Sequence, residues 1–399
     1  VRASATPLLA ALTTGVLVLA ACGGGDDGPD DAAPSSSSAA PSPSGSVSDP
    51  TGDPTGDPTG DPTDDPTDTP TADPPSGPPR AEAIVTGLEA PWGLDFFADG
   101  DAILTERDTR RVLRVTPEGE VTELGVVEAA EPTGGGAEDG LLGVALSPTF
   151  EDDALVYLYL TTAEDNRVVR TELRGDRLGE DLEVLLDGIP NGFIHDGGRL
   201  EFGPDGLLYV STGESGEPAL AQDRDSLGGK VLRLTPDGDP APGNPFGSPV
   251  YSYGHRNVQG LAFDDQGRLW ASEFGDQESD ELNLIRPGGN YGWPEVEGTG
   301  GAPEYVDPLQ TWDTDEASPS GLAHADGTLW MAALKGERLW RVRIDGRRAV
   351  DPQAFFIGRY GRMRTVAVAP DGALWVTTSN RDGRGTPAAD DDQVLRVTP

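Results

Sequence analysis

His195 stands in Phe193-Ile-His-Asp-Gly-Gly-Arg-Leu-Glu-Phe, a glycine-rich stretch just ahead of an apolar segment. Glycines let a backbone approach a ligand closely, and an imidazole exchanges its proton near neutral pH. Together they suit a general base. The plain alternative is a histidine that bonds a loop carbonyl. Glu214, in Ser211-Thr-Gly-Glu-Ser-Gly, is placed to orient that imidazole and to stabilise its protonated form, unless it is a solvated loop carboxylate.

A second constellation is cationic. Tyr253-Gly-His-Arg-Asn-Val-Gln-Gly-Leu carries Arg256, Asn257 and Gln259, forked or amide side chains that recognise carboxylates and carbonyls. Lys335 follows another apolar segment, and Arg362 and Arg364 precede the last one. At i, i+2 on an extended chain the two arginines point the same way. Such like charges repel, so an anion between them is expected; the bland reading is two exposed arginines. A third run, Ser272-Glu-Phe-Gly-Asp-Gln-Glu-Ser-Asp-Glu-Leu-Asn, holds five carboxylates within nine residues. It suits a hard cation bound through oxygen, Ca²⁺ first, or is an acidic surface loop.

The segments that carry these residues belong to a repeat. Leu200-Glu-Phe-Gly-Pro-Asp-Gly-Leu-Leu-Tyr-Val-Ser has counterparts beginning near Gly93, Gly143, Gly260, Gly321 and Thr365, spaced 44 to 62 residues apart. Each is a short apolar strand, a turn (in most copies Asp-Gly or Gln-Gly) and a second apolar strand. Most are followed by a third strand, such as Lys230-Val-Leu-Arg-Leu or Gln393-Val-Leu-Arg-Val. No long amphipathic helical pattern is present. The expected fold is all-β: a six-bladed β-propeller of four-stranded blades. A β-sandwich or two small β domains is the alternative. The chain ends on a third-strand motif, so Glu82-Ala-Ile-Val-Thr is expected to complete the last blade, and cutting after Gly87 to cost stability. On this phasing Arg256, Lys335, Arg362 and Arg364 fall at one end of successive blades. A ring of cations in an acidic protein implies a compact polyanionic ligand.

Three segments follow in order. Residues 1–21 read as an export signal: Arg2, a short apolar stretch, then small residues. Leu19-Ala-Ala-Cys resembles a bacterial lipobox, which makes Cys22 the acylated residue. Residues 22–80 form a Pro/Asp/Thr-rich tether, expected to be disordered because proline blocks both ladders and little is apolar. Residues 81–399 form the propeller. The formal charge of −40 excludes a generic nucleic-acid binder. The single cysteine excludes an intrachain disulfide.

Gly254-His-Arg-Asn-Val-Gln-Gly-Leu, the run from Asp280-Glu-Leu-Asn to Gly289-Asn-Tyr-Gly-Trp-Pro, and Ile194-His-Asp-Gly-Gly-Arg-Leu resemble the soluble quinoprotein glucose dehydrogenase family. That family includes the aldose sugar dehydrogenases and the glucose/sorbosone dehydrogenase-like proteins. The resemblance covers about residues 83–398. It implies oxidation of an aldose to its lactone with pyrroloquinoline quinone (PQQ), a tricarboxylate, and Ca²⁺. It makes His195 the base and sets Arg256 beside the quinone oxygens, with Asn257 and Gln259 near the cofactor. Lys335, Arg362 and Arg364 would hold its carboxylates, and the backbone carbonyls of Gly275 and Asp276 the Ca²⁺. It also implies an external electron acceptor, a quinone or cytochrome. Three positions depart from the family pattern. Glu214 stands where Asp is common, Asp276 where Pro is usual, and Glu138 where the glucose enzymes place a substrate-side Gln, which leaves the sugar open. No large insertion for dimerisation is evident, so a monomer is expected, outside the cytoplasm and held to the membrane only by its lipid. The competing readings are a metal-dependent lactonase on the same fold and a binding propeller without cofactor.

Overall fold

In most repeats the Asp-Gly or Gln-Gly turn needs a left-handed residue, as Gly206 is in blade three at φ 72°. The flanking apolar segments then pair as antiparallel strands, and six such sheets follow one another. A computed structural model describes residues 77–399. The signal segment, Cys22 and the tether up to residue 76 lie outside the described residues.

Blade one comprises Pro91–Phe96, Ala102–Glu106, Arg111–Val115 and Val121–Val126. Blade two comprises Leu141–Leu146, Leu155–Thr161, Asn166–Arg174 and Glu183–Ile189, with the short strand Arg177–Leu178 added to its third strand. Blade three comprises Leu200–Phe202, Leu208–Ser211, Lys230–Leu234 and Val250–Tyr253. Blade four runs from Val258–Phe263 to Gln310–Trp312, and blade five from Pro319–Ala325 to Arg348–Phe355.

Blade six closes the ring. It takes Met363–Val368, Leu374–Thr378 and Val394–Thr398 from the carboxyl end and Arg80–Val85 from the other end of the domain. Arg80 pairs with Thr398 and Ala83 with Leu395 in antiparallel register. The closing strand expected at Glu82–Thr86 is therefore present, starting two residues earlier. First strands of neighbouring blades touch all the way round, including blade six against blade one. The inner edges of the six sheets therefore face one another around the ring.

The residues that begin each repeat explain how six first strands fit round one axis. A Cβ on Gly143 would lie 2.2 Å from the Gly198 carbonyl oxygen, and one on Gly260 would lie 2.3 Å from that of Ser320. Only glycine permits this approach. In blade six the place is taken by Thr365, whose hydroxyl donates to the Trp92 carbonyl and so links the last blade to the first. The core lies between blades rather than at a single centre. Ile103 and Val112 of blade one pack with Leu158 and Val169 of blade two. Trp330 and Leu339 of blade five pack with Val366 and Leu374 of blade six. The repeated second-strand aromatics Tyr157, Tyr209, Trp270, Trp330 and Trp375 are all buried. This rigid stack fixes where each first strand starts and each second strand ends.

Candidate active site

In an antiparallel hairpin the start of the first strand and the end of the second lie at the same end. Every candidate residue occupies one of these two places. Glu138, His195, Arg256 and Arg362 precede first strands, whereas Glu214, Gly275 and Lys335 follow second strands. Of these, Glu138, His195, Arg256, Lys335 and Arg362 line a cavity of about 360 Å³ at that end of the channel.

His195 reaches this cavity from a strained backbone, at φ 63°. A left-handed non-glycine residue costs about 1–3 kcal/mol and persists only where neighbours enforce it. Here the His195 N–H donates to Glu138 Oε2 at 2.9 Å, and its carbonyl accepts the Ser215 N–H at 3.1 Å. Gly213 packs against that carbonyl so closely that a Cβ would lie 1.9 Å from the oxygen. The ring is tied through Nδ1 to Glu214 Oε1 at 2.6 Å. Glu214 is buried, and its other oxygen has no partner. Nε2 is left without a hydrogen-bond partner on a residue that lines the cavity, which is the arrangement a general base requires.

The lining carries six basic side chains, Arg107, Arg256, Lys335, Arg362, Arg364 and Arg384, against two carboxylates, Glu138 and Asp382. In a chain of net charge −40 this local excess of positive charge is the strongest electrostatic feature of the site. An anion does sit between Arg362 and Arg364, and it belongs to the protein. Asp382 Oδ2 accepts from Arg362 Nη2 at 2.9 Å and from Arg364 Nη2 at 3.3 Å. Burial alone would raise the Asp382 carboxyl; Arg364 and Arg362 hold it below the usual carboxylate range. Arg364 is itself buried, and its Nη1 donates to Gln259 Oε1 at 2.8 Å. The Nε groups of Arg256 and Arg364 are buried donors without a partner. An acceptor-rich anion fits such a lining. Lys335 lies at the rim, beside the Asp315 carboxylate and largely exposed.

The remaining candidates take other positions. Asn257 is fully buried and does not line the cavity. Its Oδ1 accepts the Gly197 N–H at 3.1 Å, and its Nδ2 donates to Glu138 Oε2 at 3.3 Å, so it braces the His195 loop. Gln259 does line the cavity beside Arg364, and its Oε1 accepts from Arg364 Nη1 and from Ser320 Oγ behind it. Glu138 shares its oxygens among the His195 N–H, Asn257 and Arg384, whose Nη1 lies 3.1 Å from Oε1. Arg256 donates to the Gly275 carbonyl at 2.6 Å and to Asp276 Oδ1 at 2.9 Å, and its guanidinium lies over Trp293.

The carboxylates of the 273–281 run do not converge as a side-chain cage. Asp280 accepts the N–H groups of Gly275 and Ser318, Glu281 that of Gly298, and Glu273 binds His255 and the Arg256 N–H. Among the described residues no three acidic, histidine or cysteine side chains gather in a metal-binding arrangement. The physical reason is local: backbone N–H groups of a tight loop claim the oxygens first. Glu297 alone accepts from the four successive N–H groups of Asp276 to Ser279.

Arg107, Asp382 and Arg384 were not singled out from the sequence. The repeat phase held the signal, since all three follow second strands, in blades one and six, as Glu214 and Lys335 do.

The pattern that defines glucose/sorbosone dehydrogenases matches residues 88–387. A solved PQQ-bound aldose sugar dehydrogenase from Streptomyces coelicolor is 54% identical, with a TM-score of 0.77 over 82% of this chain and 99% of its own. The Synechocystis sp. protein slr1608 is 34% identical over 76% of this chain and 85% of its own length. The aldose sugar dehydrogenase YliI of Escherichia coli is 29% identical over 80% and 92%. By sequence pattern, kinship and blade architecture alike, the chain belongs to the glucose/sorbosone dehydrogenase family and is an oxidoreductase.

Proposed function

We propose that this protein oxidises an aldose at its anomeric carbon to the lactone, with PQQ bound against the cation cluster. The carrying observation is the convergence of six basic side chains and His195 on one cavity of an otherwise acidic chain. When bound, PQQ supplies a two-electron acceptor for hydride. The protein supplies the rest. Arg362, Arg364 and Lys335 offer charge-assisted hydrogen bonds to carboxylates. Arg256 presents its guanidinium at the neighbouring wall. His195 Nε2 takes the proton of the anomeric hydroxyl, while Glu214 fixes the tautomer and stabilises the imidazolium as it forms. Glu138, held at Arg384, faces the sugar side.

A Ca²⁺ on the carbonyls of Gly275 and Asp276 belongs to the same reading. Backbone oxygens suit that ion, but the Gly275 oxygen is the one that Arg256 holds. A carbonyl oxygen has a second lone pair for the ion, but guanidinium and cation repel across it, so Ca²⁺ binding is expected to weaken the Arg256 contact there. Export through residues 1–21 and acylation of Cys22 would place a monomeric domain outside the cytoplasm on a tether, where an external quinone or cytochrome collects the electrons.

The test is titration of the purified chain with PQQ, with and without Ca²⁺, followed by dye reduction with a panel of aldoses. Saturable binding at one equivalent with turnover of at least one sugar is expected. Absence of quinone binding ends the proposal. Binding without turnover of any aldose reduces the protein to a quinone-binding propeller.

A further inference from the structure

Behind Arg256, outside the cavity, lies a second histidine–glutamate pair. His255 Nδ1 lies 2.8 Å from Glu273 Oε2, and its Nε2 lies 2.8 Å from Ser252 Oγ. The ring stacks on Tyr291, with centroids 4.5 Å apart. A serine, histidine and carboxylate in this order resemble a hydrolase triad. The resemblance stops at access: Ser252 and His255 are 0% exposed and Glu273 is 3% exposed. Ser252 Oγ has no route to an electrophile, so nucleophilic catalysis is not the role of this triad.

Its free end points elsewhere. The second oxygen of Glu273, Oε1, accepts the Arg256 N–H at 2.6 Å, while the Arg256 carbonyl accepts the Glu214 N–H at 2.9 Å. The Arg256 peptide is thus clamped between Glu273 and the residue that orients His195. On the other side Asn283 Nδ2 donates to Glu273 Oε2 at 3.2 Å and to Glu281 Oε2 at 2.9 Å. Burial, with the neighbouring Glu273 adding to it, pushes the Glu281 carboxyl up to about 8.

We infer that Ser252, His255 and Glu273 form a sealed positioning device for the oxidation reaction, in which Glu273 sets the Arg256 backbone and thereby the guanidinium at the quinone wall. The inference rests on the proposed function, because it needs Arg256 to face the quinone. A carboxylate locked on both sides holds its partner better than a mobile one, and a misplacement of about 1 Å near the chemistry can cost on the order of 100-fold in rate.

A double-mutant cycle tests it, with the full chain, PQQ and Ca²⁺, using Glu273→Gln, Arg256→Ala and the double variant. Three quantities are measured for each: quinone Kd by quenching of tryptophan fluorescence, kcat and KM for the best aldose, and Tm. Glu273→Gln is expected to lower kcat roughly 10- to 100-fold, with sugar KM changed less than about threefold. In the Arg256→Ala background the same substitution is expected to change neither kcat nor quinone Kd further, because its route is already cut. Losses that multiply in the double variant overturn the inference while leaving the proposed function standing. An Arg256→Ala variant with unchanged Kd and turnover overturns both the role of Arg256 and the inference built on it. Should Glu273→Gln fail to fold, Ser252→Ala replaces it in the same cycle. A loss that disappears with Arg256→Ala supports the device, and a loss that persists, or none at all, overturns it.

Discussion

Two histidines in this protein make nearly the same bond. His195 Nδ1 lies 2.6 Å from Glu214, and His255 Nδ1 lies 2.8 Å from Glu273. Both glutamates are buried, and both pairs flank the Arg256 peptide. They differ in what the other ring nitrogen meets. In His195, Nε2 is free on a cavity rich in positive charge. In His255 it is covered by Ser252, and Tyr291 closes over the ring. A histidine–carboxylate pair is therefore not a catalytic signature in itself. Its function is set by whether the second nitrogen can exchange a proton with something that enters and leaves.

Four experiments probe this contrast. The largest effect is expected from His195→Ala, which should lower kcat by about 10³-fold while quinone Kd stays within about threefold. Steady-state turnover and fluorescence titration check it, and a variant retaining a tenth of the activity would erase the distinction. Next comes His255→Ala. It strips Glu273 and Ser252 of a partner in a sealed site and should cost about 2–4 kcal/mol of stability in urea unfolding. Its folded fraction should lose no more turnover than Glu273→Gln does. Glu214→Gln follows. It keeps an acceptor near Nδ1 but removes the charge that favours the imidazolium, for an expected kcat loss of about 10- to 100-fold with unchanged Tm. The smallest change is expected from a reagent that acylates free imidazole nitrogens. Mass spectrometry should find His195 modified in step with loss of activity and His255 untouched. Equal labelling of the two would show that the burial of His255 is not maintained in solution.

Much of the architecture was legible because the repeat is written in local chemistry. Asp205-Gly206 and its counterparts demand hairpins, and Gly143 or Gly260 marks where first strands crowd the axis. Even the closing strand could be placed, since Val394–Thr398 reads as a third strand and the apolar segment near Glu82 pairs with it. The candidate site was legible in part. His195, Glu214, Arg362 and Arg364 stand beside strand ends that the repeat fixes. Asp382 was missed because its carboxylate matters only once two arginines flank it, and nothing in Arg381-Asp-Gly-Arg declares that. Asn257 reads as a cofactor-side amide, and its hydrogen bonds in the structure brace the His195 loop, a use that only the fold reveals. The acidic run likewise suggested a metal cage. Carboxylates close in sequence are not close in space when loop N–H groups hold each one separately.

Turn chemistry and alternating apolar residues act over a few neighbours, so the number of blades, their phase and the residues at strand ends are written along the chain. Which of those residues share a cavity, which carboxylates neutralise which arginines and which histidine is open depend on the folded ring. Electrostatic contact and access to solvent are properties of distance in space, and residues as far apart as Glu138 and Arg384 acquire them only after the ring has closed.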